Sequence, residues 1–292
     1  MTAHVLLIDA QNDFCDLPEG WLPPDPLAAL VRPQLPVSGS HADMLRVADA
    51  VQRGLRGISE LTVTLDSHHA VGIERTSFWQ QGDGSAVAPF TLVTAASVRA
   101  GQFVPRHPQA LDRVLAYLDA LEAAGRQLVI WTVHCVQGTW GHNLHAAVAQ
   151  AAAAWENARQ RPCTKLLKGH NPWTEHYSPF RAEVPCPDDP STQLQTAQIA
   201  RILASERIYV AGEAASHCVR AAVEDLLPLL PAGQRERLAL VQDGMSAVPG
   251  FEADAQAFLA QMAAQGFVGK ALQIGVEAGA QLLAGLAEQL AG

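Results

Sequence analysis

Residues 5–9 read Val5-Leu6-Leu7-Ile8-Asp9, four apolar residues followed at once by a carboxylate. A run without polar alternation suits a strand buried on both faces, as in a parallel sheet covered by helices. Runs of the same kind recur at Leu61–Leu65, Leu128–Val133, Ile208–Val210 and Leu238–Val241. Between them lie apolar faces spaced near 3.6 residues. Met44, Val47, Ala48, Val51 and Leu55 form one, Leu111, Val114, Leu115, Leu118 and Leu121 a second, and Val219, Ala222, Val223, Leu226 and Leu227 a third. Gly125 follows the second as a helix C-cap. Alternating strands and helices predict a doubly wound α/β fold.

Length and composition bound the function. A chain of 292 residues and 31.1 kDa holds a sizeable core without disulfides. Hydrophobic residues at 49% and charged residues at 17% exclude a disordered chain. Twenty basic residues stand against 29 acidic ones, and no Lys/Arg run tracks phosphates, so nucleic acid is excluded as a partner. No stretch approaches the roughly 20 apolar residues of a membrane span, and the start of the chain lacks the pattern of a secretory signal. Five scattered cysteines point to free thiols in a reducing cytoplasm. The expectation is one cytoplasmic domain over residues 1–292, with loop additions at about 16–34 and 69–106. A C-terminal helical extension is expected at about 268–292, where Val276, Leu283, Leu286 and Leu290 recur at helical spacing.

Ligands of open parallel sheets bind beyond the carboxyl ends of the strands. Val5–Ile8 delivers Asp9 there, Leu61–Leu65 delivers Asp66 and then His68, and Leu128–Val133 delivers His134. Leu166 and Leu167 deliver Lys168, while Ile208–Val210 leads through Gly212 and a small-residue turn to Cys218 at a helix start. Free N–H groups and the helix dipole there favour thiolate over thiol and can receive an oxyanion. Asp66, His68 and His134 supply one carboxylate and two imidazoles, a set suited to Zn, Mn or Fe with positions left open. Side chains alternate along extended backbone, so His68 shares the side of Asp66 and His69 does not. Glu74 in the following loop is a candidate fourth ligand, or else a solvent-facing carboxylate.

Taken in order, several segments resemble the nicotinamidase/isochorismatase superfamily of cysteine hydrolases. They are Leu6-Leu7-Ile8-Asp9-Ala10-Gln11-Asn12-Asp13-Phe14-Cys15, Leu35-Pro36-Val37, Asp66-Ser67-His68 and Trp131-Thr132-Val133-His134-Cys135-Val136. Lys168-Gly169 with Tyr177-Ser178-Pro179-Phe180, and Gly212 through Cys218-Val219, complete the set. Within the superfamily the metal set resembles the nicotinamidase branch, in a long variant. The resemblance implies a six-stranded, mostly parallel sheet with helices on both faces, and a homo-oligomer. It implies Cys218 as nucleophile, Asp9 as general base and acid, Lys168 as their electrostatic partner, and a divalent metal, Zn first and Fe or Mn otherwise, held by Asp66, His68 and His134. It also implies Phe14 and Trp131 sandwiching a flat substrate ring, an oxyanion hole at the Ala214 and Cys218 N–H groups, and a cis peptide at Glu213-Ala214.

The activity so implied is nicotinamide hydrolysis to nicotinate and ammonia through a Cys thioester, in NAD salvage. Other readings are a C–N amidohydrolase for a ureido, biuret-type or maleamate-like substrate, and a non-catalytic binding module. The metal set weighs against the former and the intact triad against the latter. Glu213 departs from the pattern, since small or aliphatic residues are common beside the nucleophile turn.

Overall fold

Strands without alternation must be covered on both faces, and the computed structural model covers them with helices. It describes residues 2–231 and 233–266. In chain order the elements are β1 (Ala3–Ile8), α1 (Ser40–Arg53), β2 (Ile58–Asp66), β3 (Trp79–Gln81), β4 (Leu92–Val93), α2 (Ala95–Arg99), β5 (Phe103–Pro105), α3 (Leu111–Ala123) and β6 (Leu128–Val129). They continue as α4 (Ala146–Arg159), β7 (Thr164–Lys168), α5 (Thr196–Leu203), β8 (Arg207–Gly212), α6 (Cys218–Leu226), β9 (Leu238–Leu240) and α7 (Glu252–Ala264).

The main sheet runs β7-β2-β1-β8-β9 with every pair parallel. Strand period two sends Val5 and Leu7 to one face and Leu6 and Ile8 to the other. The first face packs on Met44, Val47 and Val51 of α1 and on Val148, Ala151 and Trp155 of α4. The second packs on Ile199 and Ile202 of α5, Val219 and Val223 of α6, and Phe258 and Met262 of α7. The expected doubly wound α/β fold is observed. Gly125 sits just past α3 with φ +73°, as a C-cap glycine should.

Two expectations are corrected. Among the described residues the main sheet has five strands, not six, because the Leu128–Val133 run does not join it. Its first two residues, β6, pair antiparallel with β4, and Trp131 and Val136 make single bridges to Arg75 and His68. The run is buried on both sides, but by a second layer, and periodicity cannot tell one buried layer from another. The 69–106 segment, expected as a loop, carries the antiparallel pair β3–β5 and the helix α2. A capping box starts α2: Ser97 N–H donates to Thr94 Oγ1 at 3.1 Å and Thr94 N–H to Ser97 Oγ at 3.0 Å. Phe78, Trp79 and Val98 then pack on Val114, Leu118 and Leu121 of α3.

The 16–34 segment is irregular apart from one 3-10 turn at Glu19–Trp21, as its Pro content implies. Val276, Leu283, Leu286 and Leu290 lie outside the described residues. Among the described residues no helix is long and apolar enough to cross a membrane.

Candidate active site

Register brings the strand ends level, pairing Asp66 with Lys168 and Ile8 with Gly212. The approach of β8 to β1 needs glycine: a Cβ on Gly212 (φ +116°) would lie 2.0 Å from the Ile8 carbonyl oxygen. Asp9 leaves β1 at φ +43° with its side chain fully buried. Thr64 of β2 fixes it, accepting from Asp9 N–H at 2.9 Å and donating to Oδ1 at 2.5 Å. The other carboxylate oxygen lies 3.0 Å from Lys168 Nζ. Lys168 also donates to Asp66 Oδ1 at 2.8 Å and to the His176 carbonyl at 2.9 Å, and stands 3.6 Å from Cys218 Sγ. One buried ammonium therefore touches the thiol, its base and the carboxylate of the metal set.

Burial acts against the Lys168 charge, but Asp66, Asp9 and Cys218 outweigh it and hold the ammonium well above its ordinary pKa. Asp9 is raised, chiefly by burial and against the pull of Lys168. For Asp66 burial is overcome by His68, Lys168 and His134, so it stays ionised.

Cys218 opens α6, as its turn implies. The thiolate expectation is corrected. Burial pushes the Cys218 pKa well up, Lys168 pulls it down, and the Asp9 and Asp66 charges push it up again. The balance favours the thiol form. A helix terminus is one local field, and two buried carboxylates oppose it. The Glu213-Ala214 peptide is cis. Ala214 N–H and Cys218 N–H make no backbone hydrogen bond outside the helices and strands among the described residues.

Asp66, His68 and His134 come together with their donor atoms all within 4.8 Å of one another. His68 is buried and His69 exposed, as alternation along the backbone requires. His68 Nε2 lies 2.7 Å from Asp66 Oδ1, and His134 Nε2 lies 3.3 Å from Asp66 Oδ2. A Cβ on Gly169 (φ +84°) would fall 2.6 Å from the His68 ring, so glycine makes room for this ligand. Burial and then Arg75 lower His134 to about 3, keeping a neutral imidazole. Its Nδ1 sits 2.9 Å from the Thr132 carbonyl and 2.5 Å from Arg75 Nη1, while its Nε2 faces Asp66. The donor set fits a divalent metal.

Glu74 is buried rather than solvent-facing, and it stands outside this group. It lies 3.2 Å from His68 Nδ1 and 2.9 Å from Arg75 Nε. In place of the expected fourth ligand, it orients His68 from behind. We expect His134→Ala to lower the metal content of the purified protein from about one equivalent to near none, and Glu74→Ala to weaken affinity by about 10–100-fold, as outer partners do. Equal metal content in wild type and His134→Ala would remove His134 from the site.

The sulfur faces a narrow cavity with about 30 Å³ open to the centre of a water-sized sphere. Phe14 and Trp131 both line it, and both belong to one apolar cluster with Leu35, Ala214 and Val248. Phe14 meets the His134 ring edge-on at 5.1 Å, and Trp131 Nε1–H donates to Tyr177 Oη at 3.1 Å. The sequence assigns no role to His217, Tyr177 or Arg75, although the first two fall within the motifs quoted above. His217 adjoins Cys218 and packs against Trp131 at 5.2 Å, and burial lowers it to about 4, so it lines the cavity as a neutral ring. Its place beside the thiol was the available signal. Arg75 had none, since a fully buried arginine is unusual and shows only once Glu74 and His134 surround it.

No protein-family profile and no curated protein sequence matches the chain. Solved structures do match, and the class they define is a fold: the chain shares its α/β architecture with known nicotinamidases. A yeast nicotinamidase is 18% identical, with 92% of this chain and 98% of that chain covered and a TM-score of 0.59. The same enzyme bound to the inhibitor nicotinaldehyde aligns at 17% identity, over 91% of this chain and 98% of that one, with a TM-score of 0.59. A nicotinamidase/pyrazinamidase of Acinetobacter baumanii is 16% identical over 91% of this chain and 94% of that one, with a TM-score of 0.57.

Proposed function

We propose that this chain is a metal-dependent amidohydrolase, with nicotinamide as its substrate and a Cys218 thioester as its intermediate. The observation that carries the reading is Lys168, whose ammonium stands 3.0 Å from Asp9, 3.6 Å from Cys218 and 2.8 Å from Asp66, so that one buried charge links thiol, base and metal set. The similar folds named above belong to nicotinamidases, which supports the choice of substrate.

Asp9 takes the Cys218 proton, and the thiolate attacks the amide carbon while Lys168 balances the charge. The carbonyl oxygen becomes an oxyanion that accepts from Ala214 and Cys218 N–H. Asp9 returns the proton to the nitrogen, the C–N bond breaks and ammonia leaves. A water then adds to the thioester, giving one proton to Asp9. Collapse releases the acid, and the proton passes back to sulfur. Asp66, His68 and His134 would hold the metal, which would supply Lewis acidity and a site able to take a pyridine nitrogen. NAD salvage in the cytoplasm, and a homo-oligomer, complete the proposal.

Ammonia release from a panel of primary amides and ureido acids, with and without chelator, tests this. Nicotinamide should lead the panel, exceed benzamide and lose its lead on chelation. Equal hydrolysis of nicotinamide and benzamide by the metal-loaded protein would move the substrate to the non-pyridine amides. Phe14→Ala should raise KM several-fold, since an aromatic contact is worth about 1 kcal/mol beyond its area. An unchanged KM would place the ring elsewhere.

A further inference from the structure

Glu213 lies immediately before the nucleophile turn, yet its side chain is fully buried and does not line the substrate cavity. It points into a junction of three segments. The turn is tied to residues 246–248 by three hydrogen bonds. Ala215 N–H donates to the Ser246 carbonyl at 2.8 Å, Val248 N–H to Ser216 Oγ at 3.1 Å, and Ser246 N–H to Glu213 Oε2 at 3.1 Å. Ser246 Oγ–H in turn donates to Asp43 Oδ2 of α1 at 2.6 Å, and Arg46 pairs with Asp43 Oδ1.

The remaining oxygen, Glu213 Oε1, is buried with no protein donor in reach. Its neighbour is the Asp43 carboxyl group: the two meet at Ser246, whose N–H donates to Glu213 Oε2 and whose Oγ–H donates to Asp43 Oδ2. Two carboxylates in contact away from water cannot both be ionised. Arg46 pairs with Asp43 and favours its charged form, while Glu213 has no such cation beside it. Burial first and then the Asp43 charge push the Glu213 carboxyl well above its ordinary range, against a weaker pull from the Ser246 amide. Asp43 is raised too, by burial, with Ser246 and Arg46 pulling back. Asp16 and the Cys15 thiol also face this junction, and neither offers a compensating positive charge.

We propose that Glu213 is a positioning residue for the nucleophile turn: its protonated carboxyl group donates to Asp43, accepts from Ser246 N–H, and so clamps residues 213–216 to α1 and to the 246–248 segment. The inference rests on reading Cys218 as the nucleophile. It explains how a second carboxyl group is accommodated beside Asp43 away from water. It also gives stability a sign with pH. A carboxyl group whose folded pKa is raised contributes fully below its unfolded pKa, and that contribution is lost as pH rises towards the folded value.

The full-length protein and its Glu213→Gln and Glu213→Ala variants test this, with three readouts that need no amide substrate. Infrared spectra at neutral pH should show a protonated-carboxyl C=O band in the wild type that Glu213→Gln lacks. Iodoacetamide labelling of Cys218, located by peptide mass, should run in Glu213→Gln within about threefold of wild type, because the amide still donates to Asp43. In Glu213→Ala it should slow by roughly tenfold as the turn shifts. The Tm of wild type should fall relative to Glu213→Gln as pH rises from about 5 to about 9.

No band, a Glu213→Ala variant as reactive as wild type, or a Glu213→Gln variant as slow as Glu213→Ala would each overturn the proposal. If Glu213→Ala does not fold, the Tm gap decides: growth with pH is expected, and a constant gap overturns it. Failure of every amide to turn over would sink the proposed function and leave these readouts intact.

Discussion

Cys218→Ala is expected to lower amide turnover by about 10⁴-fold or more, the loss seen when a covalent nucleophile is removed from a preorganised site. Four other cysteines serve as internal controls, because all five are free and three of those four are buried. Cys15 and Cys135 have pKa values raised by burial, as Cys218 does. Geometry separates them: only Cys218 opens a helix beside both a lysine ammonium and a carboxylate base. Cys15→Ala and Cys135→Ala should therefore keep measurable turnover. Iodoacetamide should inactivate by labelling Cys218. Inactivation that tracks Cys15 labelling, with Cys218 unmodified by mass spectrometry, would reverse the assignment.

Lys168→Met carries the second large effect. Methionine keeps most of the volume and removes the charge that the Asp9 and Asp66 carboxylates share. Breaking a buried ion pair from one side costs about 3–5 kcal/mol, because the remaining charge stays buried without its partner. A fall in Tm of roughly 10 °C follows for a domain of this size. Activity should fall further than stability accounts for, since Asp9 then takes up a proton and ceases to be a base. The loss should approach that of Cys218→Ala, and the two substitutions combined should cost little more than either alone, as for groups acting as a unit. A Lys168→Met protein that keeps both its Tm and its turnover would show Lys168 to be a bystander.

Much of this site is legible in the sequence. Val5–Ile8 ending in Asp9, the Asp66–His68 pair and the small-residue turn before Cys218 each followed from strand ends and period-two alternation. His68 over His69 needed only that alternation, and the burial of one ring and exposure of the other agree with it. Glu74 was read as a ligand or a solvent-facing carboxylate. Its partner Arg75 adjoins it in sequence, but their contact with His68 and His134 depends on a fold between them. The Leu128–Val133 run misled because apolar content reports burial, not which layer does the burying.

The sequence by itself determined the α/β alternation, the residue types at the strand ends and the order in which they arrive, since these depend on local period and backbone chemistry. Only the tertiary structure decided which charges meet. It gave Lys168 to three partners at once, raised the Cys218 thiol against the helix dipole, moved Glu74 behind His68 and brought Glu213 and Asp43 together on Ser246. Each outcome is a balance of desolvation and Coulomb terms between residues far apart in the chain, and such terms have no value until distance and burial are fixed.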